Sequence, residues 1–312
     1  MKKPKIAVID LGTNTFHLLI AEVQPDGSYQ LLFRDRLAVM IGKGGINRGM
    51  LTDEARERAL RALTHFRKKI NHFSASEVRA SATSAFRSAS NGPDLIRQIR
   101  EQTGIEVQMI DGATEADLIY LGVKEAMQFE AEKVLIMDIG GGSVEFIIGD
   151  HEQVRWKKSY EIGAQRLLGM FDLLDPISRQ NINELQAYFD AQLQDLIQVA
   201  ERMKPATLIG ASGTFDTLSD IYLARHNIQH NGPELPLSLA SFEDTYQMLK
   251  EKNRQQRLQI PGMLEMRVDM IVVASCLIDF ILKNLKLERI RVSAYALKEG
   301  LLRQAIDEAA QN

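Results

Sequence analysis

The stretch IAVIDLGTNTFHLLI (6–20) returns later in the chain as VLIMDIGGGSVEFII (134–148). Asp10 matches Asp138, Gly12 matches Gly140, Thr15 matches Ser143 and Ile20 matches Ile148, without a gap. Each copy reads as a buried strand, an Asp-x-Gly turn with small hydroxyl residues, and a second apolar strand. A turn of this kind leaves backbone N–H groups pointing outward, a nest that binds phosphate. The Asp at its mouth repels phosphate unless a cation stands between them, which implies Mg²⁺, with Mn²⁺ able to substitute. One copy alone would mean only a hairpin. Two copies in one register, 128 residues apart, suit two whole domains of ordinary size rather than a solenoid. The expectation is a duplicated fold with a phosphate held between its halves.

Composition sets the bounds. The 312 residues are enough for two domains, and 45% apolar with 25% charged residues is ordinary globular usage. A net charge of −3 gives no global pull toward nucleic acid or membrane, so a polyanion must meet a local basic patch. The single cysteine, Cys276, lies in the apolar run MIVVASCLIDFIL and excludes an internal disulfide or a Cys-based zinc site. The N-terminus enters the first strand at once, and no apolar stretch reaches the length of a membrane span. A cytoplasmic protein is expected.

Strand patterns fall at 5–9, 15–23, 28–34, 77–82 and 105–110, with helices from Thr52, from Pro93 to Thr103, and from Glu115 to about Met127. The second half repeats the scheme. Strands fall at 133–138, 143–149, 153–160, 207–210 and 288–292; helices fall at 163–171, 178–203, 214–225, 241–250, 265–284 and 295–309. The β-β-β-α-β-α-β-α order, twice over, resembles the ribonuclease H-like arrangement of the actin, sugar-kinase and heat-shock ATPase superfamily. The expected fold is α/β with two such domains. Residues 1–117 with 296–312 make the first, and 118–295 the second.

Four further segments complete a set: SATSAFRSASN (81–91), IDGATEADLIYLGV (110–123), DIGGGSVEF (138–146) and IGASGT (209–214). With DLGTNTFHLLI and the later PGMLEMRVDMI and VSAYALKEGLL, they resemble the Ppx/GppA family of exopolyphosphatases and guanosine pentaphosphate phosphatases, from residue 6 to about 303. The resemblance implies hydrolysis of a terminal phosphoanhydride by water with Mg²⁺, and Glu115 as catalytic base. Polyphosphate or guanosine pentaphosphate would be the substrate, with no nucleic acid polymer and no membrane as partner, and with a homodimer left open. The residues read alone agree, because phosphoryl transfer needs charge neutralisation and positioning more than covalent chemistry. Gly12, Thr13 and Asn14 on one side, and Gly140, Gly141, Gly142 and Ser143 on the other, supply backbone N–H groups. Asp138 is the better metal ligand because three glycines follow it, and Asp10 joins it. Glu145 shares a side with Ser143 and would orient the attacking water. Arg87 suits phosphate by its forked donors. Ser212, Gly213 and Thr214 open a helix and offer an anion site. His17, matching Glu145 in the repeat, and Arg166 and Arg267 are weaker phosphate candidates.

The chain departs from the family's usual Ile-Ser-Gly at Ile110-Asp111-Gly112, where Asp111 is expected to cap the helix. It has no His-Asp dipeptide of the longer family members, and so resembles their short, two-domain form. Two other readings compete: an ATP-dependent kinase of the same superfamily, and a non-catalytic sensor of polyphosphate or ppGpp. The carboxylates Glu115, Asp138 and Glu145 weigh against both.

Overall fold

The computed structural model describes residues 3–128 and 132–311. Its chain forms two compact units, Met1–Gly122 with Ala296–Asn312, and Val123–Tyr295.

In the first unit, β1 (Lys5–Leu11) and β2 (Thr15–Val23) pair antiparallel across the DLGTNT turn, and β3 (Tyr29–Ala38) extends the sheet beyond β2. Helix α1 (Asp53–Phe73) then returns the chain to β4 (Glu77–Ala82), parallel to β1. Its start is set by Thr52, whose hydroxyl accepts from Ala55 N–H, with Asp53 and Glu54 favouring the positive end of the helix. A short α2 (Ser84–Ser88) and α3 (Gly92–Thr103) lead to β5 (Val107–Met109) and α4 (Gly112–Ala126). The sheet order is β3-β2-β1-β4-β5. One face of it, with Ile9, Leu11, Leu18 and Ala82, packs under Leu63 and Phe66 of α1 and Leu95 and Ile99 of α3. That apolar face fixes the register, since a one-residue slip would turn Asp10 and His17 inward.

The second unit repeats the plan. Strands β6 (Val134–Ile139), β7 (Val144–Gly149) and β8 (Val154–Tyr160) form the antiparallel portion. After α5 (Ala164–Met170), α6 (Arg179–Gln192) and α7 (Gln194–Met203), β9 (Thr207–Ala211) joins parallel to β6. Helix α8 (Gly213–His226), β10 (Glu234–Leu235), α9 (Leu239–Glu251), α10 (Arg254–Leu258) and α11 (Ile271–Asn284) precede β11 (Arg289–Ser293). The order is β10-β11-β9-β6-β7-β8, the first unit's order with one added edge strand. Helix α12 (Leu297–Gln311) belongs to the first unit and packs on β1 and β2. Both units are therefore ribonuclease H-like α/β sheets.

Several elements differ from the sequence expectation. The helix expected over 178–203 is two, broken at Leu193, which is buried and leaves helical geometry. The one expected over 265–284 is a 3₁₀ turn (Glu265–Arg267) followed by α11; Val268 and Met270 stay buried across the break, so the apolar pattern runs on uninterrupted. The strand at 105–110 shortens to three residues, and α2, β10 and α10 are too short to leave a periodic signal. Among the described residues no helix is long and apolar enough to cross a membrane.

Candidate active site

The two Asp-x-Gly turns have the same local geometry. A Cβ added to Gly12 would lie 3.0 Å from the Thr15 carbonyl oxygen, and one added to Gly140 would lie 3.0 Å from the Ser143 carbonyl oxygen. Each turn is held from behind by the chain that leaves the third strand of its sheet. Met40 N–H donates to Asn14 O at 2.8 Å, and Gly42 N–H to Thr13 O at 3.2 Å. In the second unit Gly163 N–H donates to Gly142 O at 3.0 Å, and Gln165 N–H to Gly141 O at 2.9 Å. Asn14 and Thr13 are the repeat equivalents of Gly142 and Gly141, so the support is duplicated with the turn. Carbonyls engaged on one side leave the amides to the other, which is what an anion nest needs. Gly163 is required for this fit: a Cβ there would lie 2.5 Å from backbone atoms of both Gly141 and Gly142.

The sequence carries a signal for this support. Ile41-Gly42 and Ile162-Gly163 follow the third strand in each half, and each glycine presses on the second residue of its turn, Thr13 or Gly141. Arg58 anchors the first buttress by donating to Val39 O at 2.7 Å and Met40 O at 2.9 Å. In the second unit Arg166, from α5, reaches the turn directly: its Nε donates to Gly142 O at 3.0 Å and its Nη2 pairs with Glu161. Arg166 thus supports the turn from behind.

Cross-strand register carries the acidic residues. Asp10 lies opposite His17 on β2 and beside Ser81 on β4, and His17 lies opposite Arg36. In the second unit Asp138 lies opposite Glu145, which lies opposite Ser159. Directly opposed residues share a sheet face, so each row presents its polar groups on the face away from its unit's main core. Asp138 and Glu145 are buried, and Ser159 Oγ donates to Glu145 Oε1 at 2.6 Å.

In the first unit, Arg87 closes α2 and reaches α4. Its Nη1 donates to the Ile110 carbonyl and to Glu115 Oε2, both at 3.0 Å. Glu115 sits in the first turn of α4 and is 6% exposed. The structure thus brings Arg87 and Glu115 together. Asp111 caps the same helix: its Oδ1 accepts from Thr114 N–H at 2.7 Å, and that hydrogen bond holds its carboxyl below the usual range. Asn91, which ends the TSAFRSASN segment, exchanges two 2.9 Å hydrogen bonds with the Leu51 backbone and acts as a clamp.

At the start of α8, Ser212 adopts φ 67°, ψ 178°, a region that is nearly glycine-only. Its hydroxyl donates to the Ile139 carbonyl at 3.3 Å, rather than capping the helix. The helix therefore opens with its N–H groups uncapped by a side chain, although Asp216 lies in the first turn. Arg267 is buried, with its guanidinium so close to Gly213 that an added Cβ would lie 2.0 Å from Nη2. Phe215 lies on Gly210 in the same way, which explains the glycine in IGASGT.

Among the described residues no three His, Cys, Asp or Glu side chains gather closely enough to hold an ion alone. A Mg²⁺ site does not need such a cluster, because Mg²⁺ keeps several waters and takes one or two carboxylates together with substrate phosphate. Asp138 and Asp10, each two residues before a close-approach glycine, are hard oxygen donors of the kind Mg²⁺ takes. Thr15 Oγ1 is buried at the first turn with no hydrogen-bond partner among the described residues, as suits a turn built to receive another group.

Comparison with known proteins bears on the family and the fold. The model of the Ppx/GppA phosphatase family matches residues 19–309. The chain is 44% identical to an exopolyphosphatase of Cytophaga hutchinsonii of known crystal structure, covering 97% of this chain and 98% of that one with a TM-score of 0.95. It is 29% identical over 298 residues to a putative exopolyphosphatase of Haemophilus influenzae, covering 96% of this chain and 90% of that protein. The Aquifex aeolicus family member, at 23% identity and a TM-score of 0.79 over 98% of both chains, shares the fold. Paired Asp-x-Gly turns on two ribonuclease H-like sheets, an Arg-paired Glu at the head of α4 and a family match over nearly the whole length lead to one assignment: the chain belongs to the Ppx/GppA phosphatase family.

Proposed function

We propose that this protein is a Mg²⁺-dependent exopolyphosphatase that removes the terminal phosphate of inorganic polyphosphate with water, and that guanosine pentaphosphate is an alternative substrate. The observation that carries the reading is the buried Glu115 carboxylate paired with the half-buried Arg87. A phosphate-type guanidinium beside a protected carboxylate is what hydrolysis of a phosphoanhydride uses, whereas a kinase would avoid an activated water and a sensor needs no base. Arg87 fixes the orientation of the Glu115 carboxylate, which takes the proton of the attacking water. The N–H groups of Gly12, Thr13 and Asn14, of Gly140, Gly141, Gly142 and Ser143, and of Gly213 and Thr214 bind phosphate oxygens. Glu145, held by Ser159, is a second carboxylate suited to ordering water. Asp138 and Asp10 would hold Mg²⁺, which supplies charge neutralisation on the phosphoryl oxygens.

The test is phosphate release from polyphosphate and from guanosine pentaphosphate, with and without a sugar acceptor, by wild type and Glu115→Gln. The variant keeps the shape and loses the basicity, so turnover should fall by about 10²–10⁴-fold while substrate binding persists. A variant retaining half the wild-type rate would remove Glu115 from the mechanism. Phosphate transfer to sugar in place of release would favour the kinase reading.

A further inference from the structure

Helix α1 carries a run of positive charge that the reaction does not use. From Arg58 to Ser76 there is no acidic residue, while Arg58, Arg61, Arg67, Lys68 and Lys69 fall within it. Three of the five are committed. Arg58 holds the Val39 and Met40 carbonyls, Arg67 holds those of Thr103 and Gly104, and Lys69 lies over the Phe33 ring. Arg61 and Lys68, two turns apart, point to solvent and share one face of the helix. Between them is an open hollow of about 280 Å³ lined by Leu60, Arg61, Thr64, His65, Lys68 and Gln102. Two acids border it: Glu57 lies 3.4 Å from Arg61 in an exposed pair of little net worth, and Asp35 is engaged by His65 at 2.8 Å.

The helix is also connected to the first turn. The chain between β3 and α1 gives Met40 and Gly42 N–H to Asn14 and Thr13, carries the exposed Lys43 and Arg48, and is anchored by Arg58. Arg61 and Lys68 then follow at roughly 13 and 24 Å along the helix from Thr52, at about 1.5 Å per residue. We propose that this face of α1 is a second binding surface for polyphosphate, gripping the part of a long chain that lies beyond the reacting terminus. This rests on the reading of the protein as a polyphosphate hydrolase. A single-stranded nucleic acid fits less well, because such binders place aromatic rings under successive bases and the hollow has none apart from the Asp35-engaged His65.

The experiment compares wild type with Arg61→Gln/Lys68→Gln and Arg61→Glu/Lys68→Glu on tripolyphosphate and on long-chain polyphosphate, after thermal melts verify folding. Expected is a KM for the long chain raised about fivefold by neutralisation and further by reversal, with kcat unchanged and a weaker salt dependence. On tripolyphosphate kcat/KM should stay within about twofold, since a short chain releases no counterions at α1. Equal effects on both substrates, or none on either, would overturn the inference. So would loss of single-stranded RNA binding alone. If wild type releases phosphate from neither chain, the hydrolase reading fails. Equilibrium binding of long-chain polyphosphate to the three proteins then judges α1 independently, with equal affinities counting against it.

Discussion

Replacing Gly163 by Ala tests how the second turn is held. The backbone there, at φ −62° and ψ 158°, suits any residue. By conformational entropy alone the change would stabilise the protein by about 0.4–1 kcal/mol. Space reverses the sign. The new methyl would lie 2.5 Å from Gly141 C and O and from Gly142 C. Carbon atoms prefer about 3.5–4.0 Å, so the turn must withdraw by roughly 1 Å. None of these neighbours is a flexible side-chain end. Overpacking of this kind costs about 1–3 kcal/mol, leaving a net loss of about 1–2 kcal/mol. For a unit of this size that lowers Tm by roughly 2–8 °C. The catalytic loss should be larger in proportion, because a 1 Å misplacement costs about 10²-fold in rate. Calorimetry and initial phosphate-release rates on the same preparation measure both. A Tm at or above wild type with kcat within twofold would refute the claim that Gly163 supports the turn.

Three further outcomes follow. Asp138→Asn should shift Mg²⁺ activation to much higher concentration, read from rate against metal, and wild type should be inactive in excess EDTA; full activity there would remove the metal. Ser212→Gly relieves a backbone conformation costing about 1–3 kcal/mol, so its Tm should equal or exceed wild type, and a clear fall would mean the hydroxyl bond to Ile139 outweighs the strain. Asp111, with its folded carboxyl held below the ordinary value by Thr114 N–H, contributes stability present above that ordinary value and lost as pH falls through the lowered one. Asp111→Ala should therefore narrow the stability difference from wild type under acid, and urea melts between neutral pH and pH near 3 follow it.

The repeated Asp-x-Gly phrase made the plan of both sheets readable, because an apolar strand, a polar turn and a second apolar strand are local facts. The helix start at Thr52 and the helix end at Thr103 were readable for the same reason. The pairing of Arg87 with Glu115 was not, since the residues come from separate helices and only the folded chain shows them 3.0 Å apart. Arg166 and Arg267 read as weaker phosphate candidates, and the sequence gives no sign that the first holds the Gly142 carbonyl and the second packs on Gly213, contacts that depend on tertiary fit. The strain at Ser212 leaves no trace in composition, because a serine before a helix looks like an ordinary cap.

Where α4 and α12 cross, Gly122 faces the Ala296 carbonyl and Gly300 faces the Leu118 carbonyl. A Cβ on either would fall within 2 Å of that oxygen. The two helices thus interlock like the teeth of a rack, main chain against main chain, with no side chain between them to act as a cushion. Sliding α4 along its axis by one residue, about 1.5 Å, would drive a Cβ into a carbonyl. Glu115, two turns upstream on the same rod, therefore has a set height, gauged by the terminal helix rather than by the loops around it. The base proposed for Glu115 must meet water at hydrogen-bond distance and tolerates little axial error, and that tolerance is machined into two glycines, one on each helix, away from the proposed chemistry.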